Sequence, residues 1–323
     1  MNTIFYYLCV LKKTGFIMKK ILLAITISML FAFSSCHKFH GQSVPAYIHI
    51  DTCYLSSSYY TTGANTHSIC DIWVYVDDQT LGCYELPATI PILQNGKHKL
   101  SLRAGIKVNG IGATRSWYPF FKTKEYADFE LVEDSIQTIN PTFEYYDANT
   151  VHVAWMEDFE SANISLVPTS QSDTNVMRTN DPNEAYVSSY SSHSGKVVLP
   201  GGEYTNCTLA SFNEFTSLPT TGAACMLEMD YKASFDSLTV GVIYSVNNTI
   251  SQWPLLRLAA TDREHDIPVN KWRKLYVNIG PIVVANPSAE YFKIYFSYTN
   301  ESEKTQYFYL DNLKLLYRDT YSY

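Results

Sequence analysis

A thiol that follows two small residues and an apolar run is a nucleophile that the run brings to a membrane surface. Cys36 is such a thiol, in Phe33-Ser34-Ser35-Cys36. Carboxylates offer a second chemistry: Asp158, Glu160 and Asp311 are hard oxygen ligands of the kind calcium takes. Aromatic rings offer a third. The chain holds 26 Tyr, 16 Phe and 5 Trp, and flat rings stack on the C–H edges of sugars while nearby Asn and Asp take the hydroxyls. Trp253, in Ser251-Gln252-Trp253-Pro254, reads as a loop ring open to ligand. Trp117-Tyr118-Pro119-Phe120-Phe121 reads as an exposed aromatic loop, with Trp117 and Tyr118 as contact residues. Trp73, Trp155 and Trp272 fall on strand patterns and are expected in the core.

The segment that positions Cys36 runs from Met18-Lys19-Lys20 through residues 21–33. Its apolar part is about thirteen residues long, short of the roughly 20 that a membrane-crossing helix requires. Basic start, apolar middle and small-residue cut make an export signal. Residues 1–35 are therefore expected to be removed as a signal peptide, with Met18 as the true start. Phe33-Ser34-Ser35-Cys36 also resembles the lipobox of bacterial lipoproteins, which implies that Cys36 becomes the first mature residue and carries lipid. Residues 36–44 then form a polar tether. His37-Lys38-Phe39-His40 lacks the acidic run that resembles a surface-export tag in flavobacterial lipoproteins, so the periplasmic face of the outer membrane is the expected address.

Charge and cysteines narrow the partners. Of 24 Lys and Arg against 31 Asp and Glu, four bases (Lys12, Lys13, Lys19, Lys20) precede Cys36 and no acid does, so the exported chain is more acidic than the whole. Such a surface repels phosphate backbones, which excludes nucleic acid as a partner and leaves the lipid to do the anchoring. In an oxidising compartment, Cys207–Cys225 and one pair among Cys53, Cys70 and Cys83 are disulfides the sequence allows. The competing expectation is that they are buried free thiols. No C-x-x-C spacing supports redox or zinc chemistry.

Strand signals dominate the rest. Ile72-Trp73-Val74-Tyr75-Val76, the turn Asp77-Asp78-Gln79-Thr80 and residues 81–86 predict one hairpin. Residues 90–93, Gln94-Asn95-Gly96 and residues 97–102 predict another. No stretch carries a helical period. Residues 45–150 are expected to form an N-terminal β-sandwich, 147–154 the linker, and 151–323 a C-terminal sandwich of short alternating strands. The fold class expected is all-β.

Stretches of both halves resemble known families. Residues 74–106 are similar to the small sandwiches of the PEGA and carboxypeptidase-regulatory-like kind. Asp158-Phe159-Glu160 near one end and Leu310-Asp311-Asn312-Leu313 near the other resemble the jelly-roll carbohydrate-binding modules, whose first and last strands lie side by side. That likeness implies glycan binding and allows a structural calcium ion at Asp158, Glu160 and Asp311. Pro45-Ala46-Tyr47-Ile48, Trp73-Val74-Tyr75-Val76 and Trp155-Met156-Glu157-Asp158-Phe159-Glu160 resemble an outer-membrane lipoprotein family of the Bacteroidota.

Catalysis finds no constellation. Asn109-Gly110-Ile111-Gly112 lacks a third glycine and a following helix, and no G-x-S-x-G elbow occurs. The expectation is a non-catalytic, membrane-anchored protein that binds glycan or a partner protein. Two alternatives remain: an accessory subunit of an outer-membrane assembly, working through residues 117–121 and the groove between halves, and a polysaccharide-degrading enzyme.

Overall fold

Strands form almost everywhere that β-branched and aromatic residues alternate with polar ones. The computed structural model describes residues 44–319 apart from 203, 262, 265–266 and 269–270; Cys36 and the export segment lie outside the described residues. The first half contains β1 (Ala46–Ile50), β2 (Tyr54–Ser56), the short helix α1 (Tyr59–Thr62), β3 (Asp71–Val76), β4 (Gln79–Glu85), β5 (Ala88–Ile92), β6 (Gly96–Lys107), β7 (Arg115–Trp117), β8 (Lys124–Leu131), β9 (Ile136–Thr138) and β10 (Thr142–Glu144). One sheet runs β4-β3-β6-β7, with β8 also on β6. A second runs β5-β1-β9, and β10 pairs with β2.

The β3–β4 hairpin is present, but its turn is only Asp77-Asp78, with φ of 49° and 62°. Both residues are left-handed, as a two-residue hairpin with the native twist demands. The second expected hairpin is not formed. β5 pairs with β1, and β6 pairs with β3 and β8. Gln94-Asn95-Gly96 instead carries the chain from one sheet to the other. A left-handed glycine, Gly96 at φ 92°, serves that crossing as well as it would a hairpin.

The second half contains β11 (His152–Glu157), β12 (Leu166–Pro168), β13 (Val176–Thr179), β14 (Ser194–Leu199), β15 (Thr205–Ser211), β16 (Cys225–Ala233), β17 (Leu238–Val246), β18 (Thr249–Leu258), β19 (Arg263–Glu264), β20 (Ile267–Pro268), β21 (Arg273–Asn278), helix α2 (Gly280–Ala285), β22 (Tyr291–Asn300) and β23 (Gln306–Tyr317). The larger sheet is β13-β14-β23-β16-β21, and β11 joins β23 beyond the end of β14. The facing sheet is β12-β15-β22-β17-β18. First and last strands of this half are neighbours, Trp155 opposite Leu315 and Glu157 opposite Leu313. The strand that carries the expected linker residues His152-Val153-Ala154 is thus part of the sheet.

Two apolar clusters fill the sandwiches. Phe159, Val197, Leu227, Val242, Phe296, Phe308 and Leu315 belong to one. Ile48, Val74, Ile90, Leu102 and Phe143 belong to the other, which also takes in Met226, Tyr276 and Leu316 from the second half. Those three lie on the outer face of the larger C-terminal sheet, so the first half packs on that face. Among the described residues, those from Ala46 onward form one contact unit.

The outer face of this sheet is graded along its strands. Pairing sets Met177, Lys196, Tyr309 and Lys232 in one row across β13, β14, β23 and β16, and Trp272, just ahead of β21, extends it. The next row holds Ser194, Asp311, Asp230 and Lys274. Beyond it come Glu228, Lys314 and Tyr276. A bulge between Glu228 and Asp230 makes this spacing possible. Asn312 occupies it with φ of 48°, a conformation that Asn accepts more readily than most residues. Asp311-Asn312 therefore lies within the last strand.

Candidate functional site

The aromatic row is the part of this face that the first half leaves uncovered. Tyr186, Trp272, Tyr307 and Tyr309 are all half-buried. Tyr186 meets Trp272 edge-on with centroids 5.7 Å apart, and Trp272 meets Tyr309 at 6.4 Å. Lys232 Nζ sits 4.5 Å from the Tyr309 ring centre and 5.4 Å from that of Trp272. Lys196 Nζ lies 5.5 Å from Tyr307 and 6.0 Å from Tyr309. Ammonium groups at these distances are held by the negative ring faces.

The connection between β13 and β14 braces the row from one side. Lys232 Nζ donates to the carbonyls of Asn183 (2.8 Å) and Glu184 (3.0 Å), and burial pushes its pKa down. Glu184 accepts from Thr179 (2.6 Å), Tyr309 (3.3 Å) and Lys196. Burial pushes the Glu184 carboxyl up, yet Lys196 and Thr179 outweigh it and hold the group below the usual carboxylate range. Tyr309 is raised by burial and by Glu184, so it stays a neutral phenol with a polar edge. Rings, ammonium groups and one carboxylate on a single rigid row can stack an apolar ring face and hydrogen-bond its rim.

Trp272 was expected in the core, and the structure corrects this: it flanks β21 on the outer side, where its ring stays half-buried. Trp155 is a core residue at 5% exposure, and its Nε1 donates to Ser165. Trp253 is 51% exposed on β18, an edge strand, opposite Val242. It lies on the facing sheet, apart from the aromatic row.

The loop at residues 117–121 is not a free docking loop. Tyr118, Phe120 and Phe121 are buried at 1%, 0% and 4%, and Tyr118 donates its hydroxyl to Glu228 at 2.7 Å. The aromatics dock on the second half of their own chain, which removes Tyr118 as a ligand contact. Trp117 is half-buried beneath the Arg103 guanidinium, 5.0 Å from its ring centre. It lines a cavity of about 550 Å³ with Ile106, Met226 and Pro281. A larger groove of about 970 Å³ between the halves is lined by Lys122, Glu144, Tyr146, His152, Glu214 and Phe215.

Burial raises the Tyr59 pKa, and Asp158, Glu160 and Asp311 all lie near enough to its hydroxyl to raise it further. Each is nevertheless engaged by protein donors. Asp158 accepts from Tyr59 at 2.6 Å, and Glu160 from the amides of Ser192 (2.7 Å) and His193 (2.6 Å). Asp311 accepts from Ser194 (2.6 Å) and Ser191 (3.2 Å). Among the described residues, no group of three or more His, Cys, Asp or Glu is arranged to hold a metal ion. Glu160 holds the β13–β14 connection through the Ser192 and His193 amides.

Cys207 and Cys225 are free thiols, a correction to the pairing the spacing allowed. Cys207 lies on β15 and Cys225 on β16, in opposite sheets and both fully buried. Burial pushes the Cys207 thiol up to about 12, so both behave as small apolar core residues. Cys53, Cys70 and Cys83 are free as well.

No family model and no curated protein matches the sequence. Structural neighbours are β-sandwich carbohydrate-binding modules. One is a module of the β-sandwich superfamily described for promiscuous specificity, 12% identical, covering 85% of this chain and 99% of its own, with a TM-score of 0.38. Another is the CBM22-1 xylan-binding domain from Paenibacillus barcinonensis, 11% identical over 54% of this chain and 99% of its own, TM-score 0.37. A third is the family 11 module of a cellulosomal cellulase of Clostridium thermocellum, 12% identical over 52% of this chain and 96% of its own, TM-score 0.33. At these scores the similarity bears on neither the ligand nor the site of this chain.

Proposed function

We propose that the chain is a non-catalytic glycan-binding protein, held at the periplasmic face of the outer membrane by lipid on Cys36, with its ligand seated on the outer row of the larger C-terminal sheet. The observation that carries the binding reading is the row itself: Trp272, Tyr309 and Tyr307 with Lys232 and Lys196 in cation–π contact, braced by Tyr186 and Glu184. Half-buried rings on a rigid strand lose little entropy on stacking, which suits a sugar ring. The anchor rests on the sequence of residues 18–36.

A glycan array probed with the purified exported chain tests the binding reading. Trp272→Ala and Tyr309→Phe separate the two contributions. Trp272→Ala is expected to weaken binding about tenfold, the equivalent of ~1.4 kcal/mol, whereas Tyr309→Phe keeps the ring and loses only the rim contact. Silence of the wild-type chain on the array, with co-purification of an outer-membrane protein, would replace this reading with the accessory-subunit one. Cys36→Ser is expected to release the protein from the membrane fraction.

A further inference from the structure

Next to the aromatic row, the same face carries a cluster for which glycan binding has no use. Asp230 and Lys274 are directly opposed across β16 and β21. Both are sealed from water, Asp230 at 2% exposure and the Lys274 side chain at 4%. Lys274 Nζ lies 3.8 Å from Asp230 Oδ2 and 3.1 Å from Glu228 Oε2. Thr66 reaches in from the first half, accepting from Lys274 Nζ at 3.0 Å and donating to Asp230 Oδ2 at 2.7 Å. Asn312 Nδ2 donates to the same carboxyl oxygen at 3.0 Å. Tyr118, Tyr145 and Tyr276, all buried, wall the space.

An amine thus faces a carboxyl group whose Oδ2 already holds two donors, with a second carboxylate beside the amine to carry its proton. We propose that this is a self-modification site, at which Lys274 Nζ condenses with the Asp230 carboxyl to form an intramolecular amide between β16 and β21.

The atoms balance with the groups present. The neutral amine and the neutral acid hold the same number of protons as the ion pair, so the reactive pair is reached by passing one proton from Lys274 to Asp230. Burial raises the proton affinity of Asp230. Burial pushes Lys274 toward the neutral amine, while Asp230 and Glu228 outweigh it and hold the group protonated; the share of that pull due to Asp230 ends once Asp230 takes the proton. The Nζ lone pair then forms the C–N bond at Cγ. Thr66 Oγ1 and Asn312 Nδ2 hold the negative charge that develops on Oδ2. Glu228 Oε2 accepts a proton from the nitrogen and returns it to the Oδ1 hydroxyl, and the Cγ–Oδ1 bond breaks to release water. Lys314, 3.7 Å from Glu228 Oε2, remains as that carboxylate's counter-ion.

Two physical terms favour the product. Fixed juxtaposition of the partners substitutes for high concentration. A buried ion pair keeps a desolvation cost that a neutral amide does not.

The test is mass spectrometry of the purified exported chain, intact and digested. The wild-type chain is expected to weigh one water less than Lys274→Arg after correction for the substitution, and its digest to contain one branched peptide joining the segments of Asp230 and Lys274. Glu228→Gln is expected to show the unreacted mass. Digest mapping of the wild-type chain needs no variant to fold, so the test stands even where a substitution misfolds. Separate Asp230 and Lys274 peptides at full mass, or a water loss that persists in Lys274→Arg, would overturn the proposal.

Discussion

Burial decides the charge state of single residues on the sheet's outer face, and Asp311 shows it most directly. Its carboxyl is fully buried and accepts from Ser194, Ser191 and its neighbour's amide. Burial pushes its pKa up from 3.8 to about 8, against the pull of Ser194 and the Asn312 amide and with help from nearby Asp230. The folded state thus holds this proton more tightly than the unfolded chain. Below about pH 4 both states carry it and the contribution to stability is complete. As pH rises toward 8 the unfolded chain releases the proton first, and stability falls. Thermal melts at pH 5 and pH 8 check this: the wild-type chain is expected to lose more stability between them than Asp311→Asn. Equal losses would show that Asp311 does not hold its proton. None of this is visible in Leu310-Asp311-Asn312-Leu313, where an acid beside Asn reads as a solvated turn.

At the scale of elements, most strands were legible because period-two patterns depend only on local side-chain alternation. β16 shows where that reading stops. Cys225, Leu227, Met229, Tyr231 and Ala233 alternate with Met226, Glu228, Asp230 and Lys232, which predicts one wet face. All nine residues are buried, because the first half and the β13–β14 connection cover that face. Which non-local segment covers a strand is set by tertiary packing, and one strand's alternation carries no trace of it. The same gap hid the aromatic row, since Lys196, Tyr309, Lys232 and Trp272 lie on four separate segments. The signal that was present, Tyr307 and Tyr309 on the polar phase of β23, gains meaning only once the neighbouring strands are known. Gly195 on β14 marks another contact that pattern alone misses. A Cβ there would sit 2.5 Å from the Phe159 ring, so the strand can lie against that ring only as glycine. Gly195→Ala is expected to cost about 1–3 kcal/mol by overpacking, read as a lower denaturant midpoint with an unchanged slope.

At the scale of the whole molecule, the junction between the halves determines whether they unfold separately. Glu228 is fully buried at that junction and accepts at Oε1 from two tyrosines of the first half, Tyr118 at 2.7 Å and Tyr145 at 2.8 Å. Lys314 donates to the Ala64 carbonyl at 2.7 Å, and the Tyr276 hydroxyl accepts from the Ser68 amide at 3.0 Å. Separating the halves would expose Met226, Tyr276 and Leu316 while stripping buried charges of their donors, and both changes are unfavourable. The two halves are therefore expected to unfold in one transition, in which far-UV circular dichroism and the fluorescence of tryptophans from both halves coincide. Tyr118→Phe with Tyr145→Phe leaves the rings and removes both donors from a buried carboxylate. This pair is expected to lower stability by about 2–6 kcal/mol, given ~1–3 kcal/mol for each donor lost. The transition should stay single, because Lys314 still compensates Glu228 and the apolar contact between the halves is untouched. Two resolved transitions in the wild-type chain would show instead that the junction is too weak to couple them, and that the face beneath the first half opens independently of either core.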